Sequence, residues 1–267
     1  MTMNNNFLNN LLNSISVSGY EEQVQDIVEE EMKDYVDEVR RDEMQNVTCV
    51  INPNSDIRIM LSAHADEIGL MISNIREDGR LQVIDRGGIV PSTYPGHAIS
   101  IKTSKGIVYG VVEAYRELFK EKDLGTKQFL IDIGAKDRED ALSYVSIGDP
   151  IVLDTTIRKL ANDKFTARAL DDRLGVYIIM EAIKRAKKQG CTVGVYAAST
   201  TGEETTKTGA YWTSTRINPS MAIVVDVTYT SDCSGMDPAE MGTVLLGGGP
   251  VPVSYTHLRA HETLSDL

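Results

Sequence analysis

One histidine and a set of carboxylates stand where runs of apolar residues break off. Residues 57–63 run into His64-Ala65-Asp66-Glu67, residues 192–200 into Thr201-Gly202-Glu203-Glu204, and residues 220–225 into Asp226. Imidazole nitrogen and carboxylate oxygen together suit a hard-to-borderline divalent cation of the zinc or manganese kind. Each motif also has a plainer reading. A lone histidine is more often structural than a ligand; the acid two residues on matters because ligating imidazoles usually carry a second hydrogen-bonded partner. Asp171-Asp172 reads as a helix N-cap, yet one carboxylate has two oxygens and can bridge two cations. Glu203-Glu204 reads as a solvated loop pair, or as two acids that divide coordination and proton movement between them. Asp226 closes an apolar run and needs a partner wherever it is buried. Joint placement at the ends of elements favours the metal reading over separate coincidences.

The elements that must position these groups are themselves legible. Short β-rich runs with little alternation suit strands buried on both faces, as in a parallel sheet. Open α/β sheets gather ligands beyond the carboxyl ends of their strands. Residues 7–15 read as an opening helix, and Ser18-Gly19-Tyr20-Glu21 as a capping box for a second helix carrying Val24, Ile27, Val28, Met32 and Val36. Strands are expected over 47–51 and 57–63. A helix opening at Asp171 carries Leu174, Tyr177, Ile178 and Ala182, then ends in a cationic last turn before Gly190. Between about 72 and 163 the texture changes to short strand candidates (81–85, 98–103, 107–114, 129–133, 150–153) separated by glycine-rich breaks. That spacing predicts a small, mostly antiparallel barrel inserted into the α/β domain, with one short helix over 135–143.

Composition narrows the function classes. A net charge of −12 over 267 residues argues against nucleic acid, whose phosphates need basic stripes. The three cysteines (Cys49, Cys191, Cys233) form no C-x-x-C pair, which points to a reducing compartment and away from a thiolate zinc site. No secretory signal and no membrane-length apolar stretch is visible, so a cytoplasmic protein with no membrane partner is expected. There is no G-x-S-x-G elbow and no phosphate-binding P-loop, and Gly247-Gly248-Gly249 lacks the strand–helix context of a nucleotide fingerprint. A two-carboxylate glycosidase would leave His64 and the extra acids unexplained.

At these residues the chain resembles metallopeptidase family forty-two, the co-catalytic metal aminopeptidases that assemble into tetrahedral shells. The resemblance runs from about residue 7 to 251. It rests on Val-Ser-Gly-Tyr-Glu-Glu (17–22), His-Ala-Asp-Glu-Ile-Gly-Leu-Met (64–71), Ile-Asp-Ile-Gly-Ala (131–135), Gly-Asp-Pro (148–150), Ala-Leu-Asp-Asp-Arg (169–173), Thr-Gly-Glu-Glu (201–204) and Val-Asp-Val-Thr (225–228). It implies an α/β fold, a three-layer, mostly parallel sheet of the zinc-exopeptidase type with an inserted small β-barrel. The catalytic domain would comprise residues 1–71 and 164–252, and the barrel, 72–163, would serve dimerisation. The resemblance further implies two divalent cations, zinc or cobalt, with Asp171 bridging them. His64 and Asp226 would complete one site, Glu204 would bind the other, Glu203 would be the general base, and Asp66 would orient His64. The implied reaction is hydrolysis of the N-terminal peptide bond of peptides. The implied partner besides substrate is a second copy, in a homodimer or a tetrahedral dodecamer.

The chain departs from the family pattern in three places. Gln45 precedes Asn46 where a glycine is usual. Gly202 stands where a glutamine commonly precedes the acid pair, and residues 205–208 make a longer lead to Gly209. After residue 251 the pattern stops, and residues 253–267 resemble the read-through peptide of a truncated gene, a non-native tail. His257 and His261 lie four apart but lack the glutamate of a zinc-binding helix motif, so the second cation site is expected a ligand short. Beside an active aminopeptidase, this leaves an inactive subunit with an assembly or binding role and, less favoured, a glycoside hydrolase.

Overall fold

The computed structural model describes residues 6–252. Helices α1 (Asn6–Asn13) and α2 (Glu22–Met32) precede strands β1 (Glu38–Arg41), β2 (Val47–Ile51) and β3 (Arg58–His64). Next come β4 (Gly69–Ile75), β5 (Leu81–Arg86), β6 (Ala98–Thr103), β7 (Gly106–Val112) and β8 (Ile131–Asp132), then α3 (Arg138–Tyr144) and β9 (Pro150–Leu153). A short pair, β10 (Arg158–Lys159) with β11 (Phe165–Thr166), leads into the long helix α4 (Leu170–Lys188). Strand β12 (Gly194–Thr200), helix α5 (Thr208–Ile217) and strand β13 (Met221–Val224) follow.

Five strands form the main sheet in the order β1-β2-β12-β3-β13. The expectation of a mostly parallel sheet needs correcting. The pairings of β3 with β12 and β13 are parallel, whereas β1–β2 and β2–β12 are antiparallel. For β1–β2 the cause is local: Asp42 Oδ1 accepts the backbone N–H groups of Met44 and Asn46, folding the chain back as a hairpin between the two strands. All five residues of β2 are buried, so its apolar pattern carries no sign of strand direction.

Both faces of the sheet are covered, which explains the missing alternation. Val195 and Ala197 of β12 pack with Cys49, Ala63 and the apolar stripes of α1, α2 and α4, including Leu11, Leu12, Val28, Met32, Val176 and Met180. Tyr196 and Ala198 point the other way, against Val50, Met60 and Ile217 of α5. Strand β13 departs from this pattern. Its sequence reads like the buried runs, yet it pairs with β3 alone among the described residues, and Val224 is 74% exposed.

The capping box before α2 is not what Ser18 makes. The Ser18 hydroxyl lies 2.7 Å from that of Thr205, and Glu21 instead accepts the N–H groups of Gly19 and Gly202, both at 2.9 Å. The box residues thus tie the start of α2 to the loop after β12.

The inserted strands close into an antiparallel barrel in the order β4-β5-β8-β7-β6-β9. It begins at Gly69, a little before the expected boundary at residue 72. Leu70, Ile72, Leu81, Val83, Ile99, Ile101, Ile131 and Ile151 fill its interior. Residues 227–252 belong to a separate compact unit, whose helix α6 (Pro238–Met241) is capped by Asp237 accepting the Ala239 N–H. The expectations for residues 253–267, His257 and His261 included, lie outside the described residues.

Gly209, in the first turn of α5, sits where no side chain fits. A Cβ there would stand 2.2 Å from the Thr201 carbonyl oxygen and 2.6 Å from Asn46 Oδ1. Neither can retreat cheaply, because Asn46 Oδ1 accepts the Thr201 N–H and hydroxyl. Gly209→Ala should therefore destabilise the fold by about 1–3 kcal/mol, the usual cost of overpacking. A melting curve superimposable on that of the parent chain would refute this.

Candidate metal centre

Strand register does the first part of the gathering. In the parallel pairing of β12 with β3, Thr200 stands opposite His64; in that of β13 with β3, Val224 stands opposite Ser62. Asp226, two residues past Val224, therefore falls level with His64, and Glu203-Glu204 lie just beyond Thr200. The start of α4 brings Asp171 to the same rim. This is where an open α/β sheet collects its ligands.

His64 is buried at the centre. Its Nε2 lies 3.0 Å from Asp171 Oδ1 and 3.9 Å from Glu203 Oε2. Its Nδ1 lies 3.4 Å from Asp66 Oδ1 and 3.2 Å from the Asp66 carbonyl oxygen. Ligand atoms of His64, Asp171 and Asp226 fall within 4.8 Å of one another, as do those of His64, Glu203 and Glu204. The sequence-predicted residues His64, Asp66, Asp171, Glu203, Glu204 and Asp226 thus all meet here. Asp226 is exposed, so its carboxylate escapes the burial penalty the sequence raised.

Asp66 does more than face the imidazole. Fully buried, it accepts the Glu203 N–H on one carboxylate oxygen and the Glu204 N–H on the other, both at 3.0 Å. One side chain therefore aims both the histidine ring and the acid pair. Gly202, the residue that departs from the family pattern, has φ +67 and carries the turn, its carbonyl accepting the N–H groups of Thr206 and Lys207. Glycine meets that conformation without steric cost.

The two readings of Asp171-Asp172 divide between the two residues. Both have non-helical backbone within α4, and the peptide bond between them is cis. Asp172 Oδ1 accepts the Gly175 N–H at 3.1 Å, the capping role, while the exposed Asp171 side chain turns to His64.

The electrostatics describe a site with surplus negative charge. Burial opposes protonation of His64, but hydrogen bonds to Asp171 and Asp66 outweigh it and lift its pKa to about 11. Burial, helped by the Asp171 charge, raises Glu204 to about 7, and burial with Asp226 nearby raises Asp172 to about 8. Burial works against ionised Asp66 as well, yet its bonds to His64 and the loop N–H groups hold it below the ordinary carboxylate range. One imidazole among hard carboxylate oxygens is a donor set that fits zinc or its first-row neighbours.

Beneath the rim lies a buried ionic hub that sequence reasoning missed. Arg173, fully buried, pairs with Glu67 at 2.9 Å, and Glu67 also takes Arg168 at 2.6 Å. The signal was present in the run Ala-Leu-Asp-Asp-Arg, where the arginine reads as one more exposed helix charge.

Comparison with known proteins follows the same lines. The profile of the M42 glutamyl aminopeptidase family matches residues 45–266. A protein of Acetivibrio thermocellus is 36% identical over 236 residues, covering 88% of this chain and 68% of its own length. Lysyl aminopeptidase of Pyrococcus furiosus is 32% identical over 251 residues, covering 90% and 70%. Among solved structures, aminopeptidase APDkam598 from the archaeon Desulfurococcus kamchatkensis matches with a TM-score of 0.82 at 32% identity, covering 90% of this chain and 67% of that one. The Pyrococcus horikoshii TET1 peptidase, which can assemble into a tetrahedron or a large octahedral shell, matches with a TM-score of 0.77 at 30% identity, covering 85% and 71%. Among the described residues no helix is long and apolar enough to cross a membrane. With an imidazole–carboxylate cluster at the sheet rim and the family profile matched over most of its length, the chain belongs to the M42 glutamyl aminopeptidases, metal-dependent hydrolases of peptides.

Proposed function

We propose that this chain releases N-terminal residues from peptides with Glu203 as general base and two divalent cations, zinc or cobalt, held by His64, Asp171, Glu204 and Asp226. The observation that carries the reading is the convergence on His64 Nε2, with Asp171 Oδ1 at 3.0 Å and Glu203 Oε2 at 3.9 Å. Asp171, with two oxygens and an exposed side chain, would be the residue shared by both cations, with His64 and Asp226 completing the holding of one and Glu204 of the other. When bound, such cations act as Lewis acids and make water a nucleophile at neutral pH. Asp66 is a positioning residue: it holds His64 Nδ1, leaving Nε2 as the ligating atom. Through two backbone N–H groups it also fixes where the acid pair stands. Glu203 takes a proton from the attacking water and returns it to the departing amine, which leaves neutral.

The same reading takes residues 1–71 and 164–252 as a catalytic domain of the three-layer zinc-exopeptidase type. Residues 72–163 form the inserted domain that makes homodimer contacts within a tetrahedral shell. Ile107, Tyr109 and Val111, exposed along β7, supply an apolar surface for such contacts, and the assembly of the TET1 peptidase supports the idea. Free Cys49, Cys191 and Cys233 suit a reducing cytoplasmic setting.

Metal removal tests the proposal. Dialysis against a chelator should abolish hydrolysis of aminoacyl p-nitroanilides, and zinc or cobalt should restore it, while N-acetylated substrates stay intact throughout. Full activity in a preparation that elemental analysis shows to be metal-free would overturn it.

A further inference from the structure

We infer a second binding site, for a small phosphate-class oxyanion, at the opposite end of β3 from the metal cluster. Arg58 opens the strand that His64 closes, about 20 Å away at the usual rise per residue. A cavity of about 190 Å³ lies there between the sheet and α5. Its lining residues include Arg40, Arg58 and Arg216, with Thr213 and Tyr196, against one acid, Asp42. In a chain with 39 acidic and 27 basic residues, three arginines around one cavity run against the overall charge.

The carboxylate of Asp42 is turned to its own loop rather than to the arginines. Its Oδ1 accepts the N–H groups of Met44 and Asn46, and the Asn46 amide donates to both of its oxygens. Arg58 Nε and Thr213 Oγ1, both shielded from solvent, have no hydrogen-bond partner among the described residues, so a small shift of either side chain toward the cavity would gain one. Arg58 Nη1 donates to the Ile217 carbonyl at 2.9 Å, which fixes the guanidinium in place.

The other two arginines are held by stacking. Arg40 lies over the Tyr196 ring and pairs with Glu38; Arg216 lies 3.5 Å from the Trp212 ring centroid and reaches Glu43 at 3.6 Å. Both acids stand outside the cavity lining. Planar forks of N–H donors match an ion that offers several acceptor oxygens and no donors. Three forks and a hydroxyl exceed what the two oxygens of a carboxylate can satisfy, which favours a tetrahedral oxyanion. The volume corresponds to roughly six liquid waters, enough for inorganic phosphate or the head of a phosphomonoester.

Calorimetric titration of the metal-loaded chain with inorganic phosphate at constant ionic strength tests this, with phenyl phosphate and acetate as parallel ligands. Saturable one-to-one binding is expected, about tenfold or more weaker in Arg216→Gln and in Thr213→Val, and unchanged in Asp171→Asn, which disables the metal cluster only. Arg216 is exposed at the rim and Thr213→Val is isosteric, so both variants should melt like the parent chain. Phenyl phosphate binding as well as phosphate assigns the site to monoesters; phosphate alone assigns it to the free ion. Equal affinity in the two pocket variants, loss of binding in Asp171→Asn, equal affinity for acetate, or no saturable binding would each overturn the inference.

Discussion

Glu203→Gln lowers kcat by roughly 10²–10⁴-fold, the range a positioned general base supplies, and leaves metal content and KM close to the parent values. The substitution keeps the size of the side chain. It also leaves untouched the bond from the Glu203 N–H to Asp66, so the loop keeps its shape. What is lost is the ability to take a proton from water. The neighbouring acid makes the control. Glu204 is raised to about 7 by burial and the Asp171 charge, as suits a group whose ionised form needs a cation beside it. Glu204→Gln should shed metal, whereas Glu203→Gln should not. Measuring kcat and bound metal on both variants separates the roles. If Glu203→Gln kept a tenth or more of the activity, the general base would have to be sought elsewhere, with Glu204 the first candidate.

The ligand rim was legible in sequence because two independent constraints coincide there. Buried strands must be apolar over their whole length, so the residue at which that run ends announces the sheet's edge. His64 closes such a run in β3 and Glu203-Glu204 follow β12 within four residues, while Asp226 follows the apolar run of β13, which looks buried in sequence but is exposed. The barrel was legible for a different reason: its strands are short, and glycine marks their turns. What stayed hidden depends on partners far away in sequence. Ser18 and Glu21 have the spacing of a capping box, but Glu21 is pulled to Gly202 across 181 positions, and no local pattern reports that. The direction of β2 was equally silent, since burial on both faces erases the alternation. The exposure of Val224 could not be read from residues that look like those of the buried strands.

Arg173→Met should cost about 3–5 kcal/mol of stability, the range seen when one partner is removed from a buried ion pair. The structure gives the reason atom by atom. Arg173 Nε donates to the Ala65 carbonyl at 3.0 Å; Nη1 donates to Leu11 at 3.0 Å and Ser14 at 2.7 Å; Nη2 donates to Ser16 at 3.4 Å and Glu67 at 2.9 Å. All five N–H groups are used, on four carbonyls and a carboxylate that are themselves shielded from water. Methionine fills the space but takes a donor from each acceptor. The Ala65 carbonyl loses its side-chain partner outright, while Leu11, Ser14, Ser16 and Glu67 are left with Ser14 Oγ, Arg168 and the Glu67 and Ser16 N–H groups. Under-satisfied buried acceptors cost part of their desolvation. Lysine offers no rescue, because its three donors radiate from one atom and cannot span both the α1 end and residue 65. At about 2–4 °C per kcal/mol, the melting temperature should fall by roughly 6–20 °C in either variant. The effect should also reach catalysis in protein that remains folded: Ala65 lies between His64 and Asp66, and Arg173 follows Asp172 directly, so the hub sets the spacing of two metal-ligand segments. A melting point within about 2 °C of the parent, with unchanged metal affinity, would show that the hub is an accident of packing rather than the support of the site.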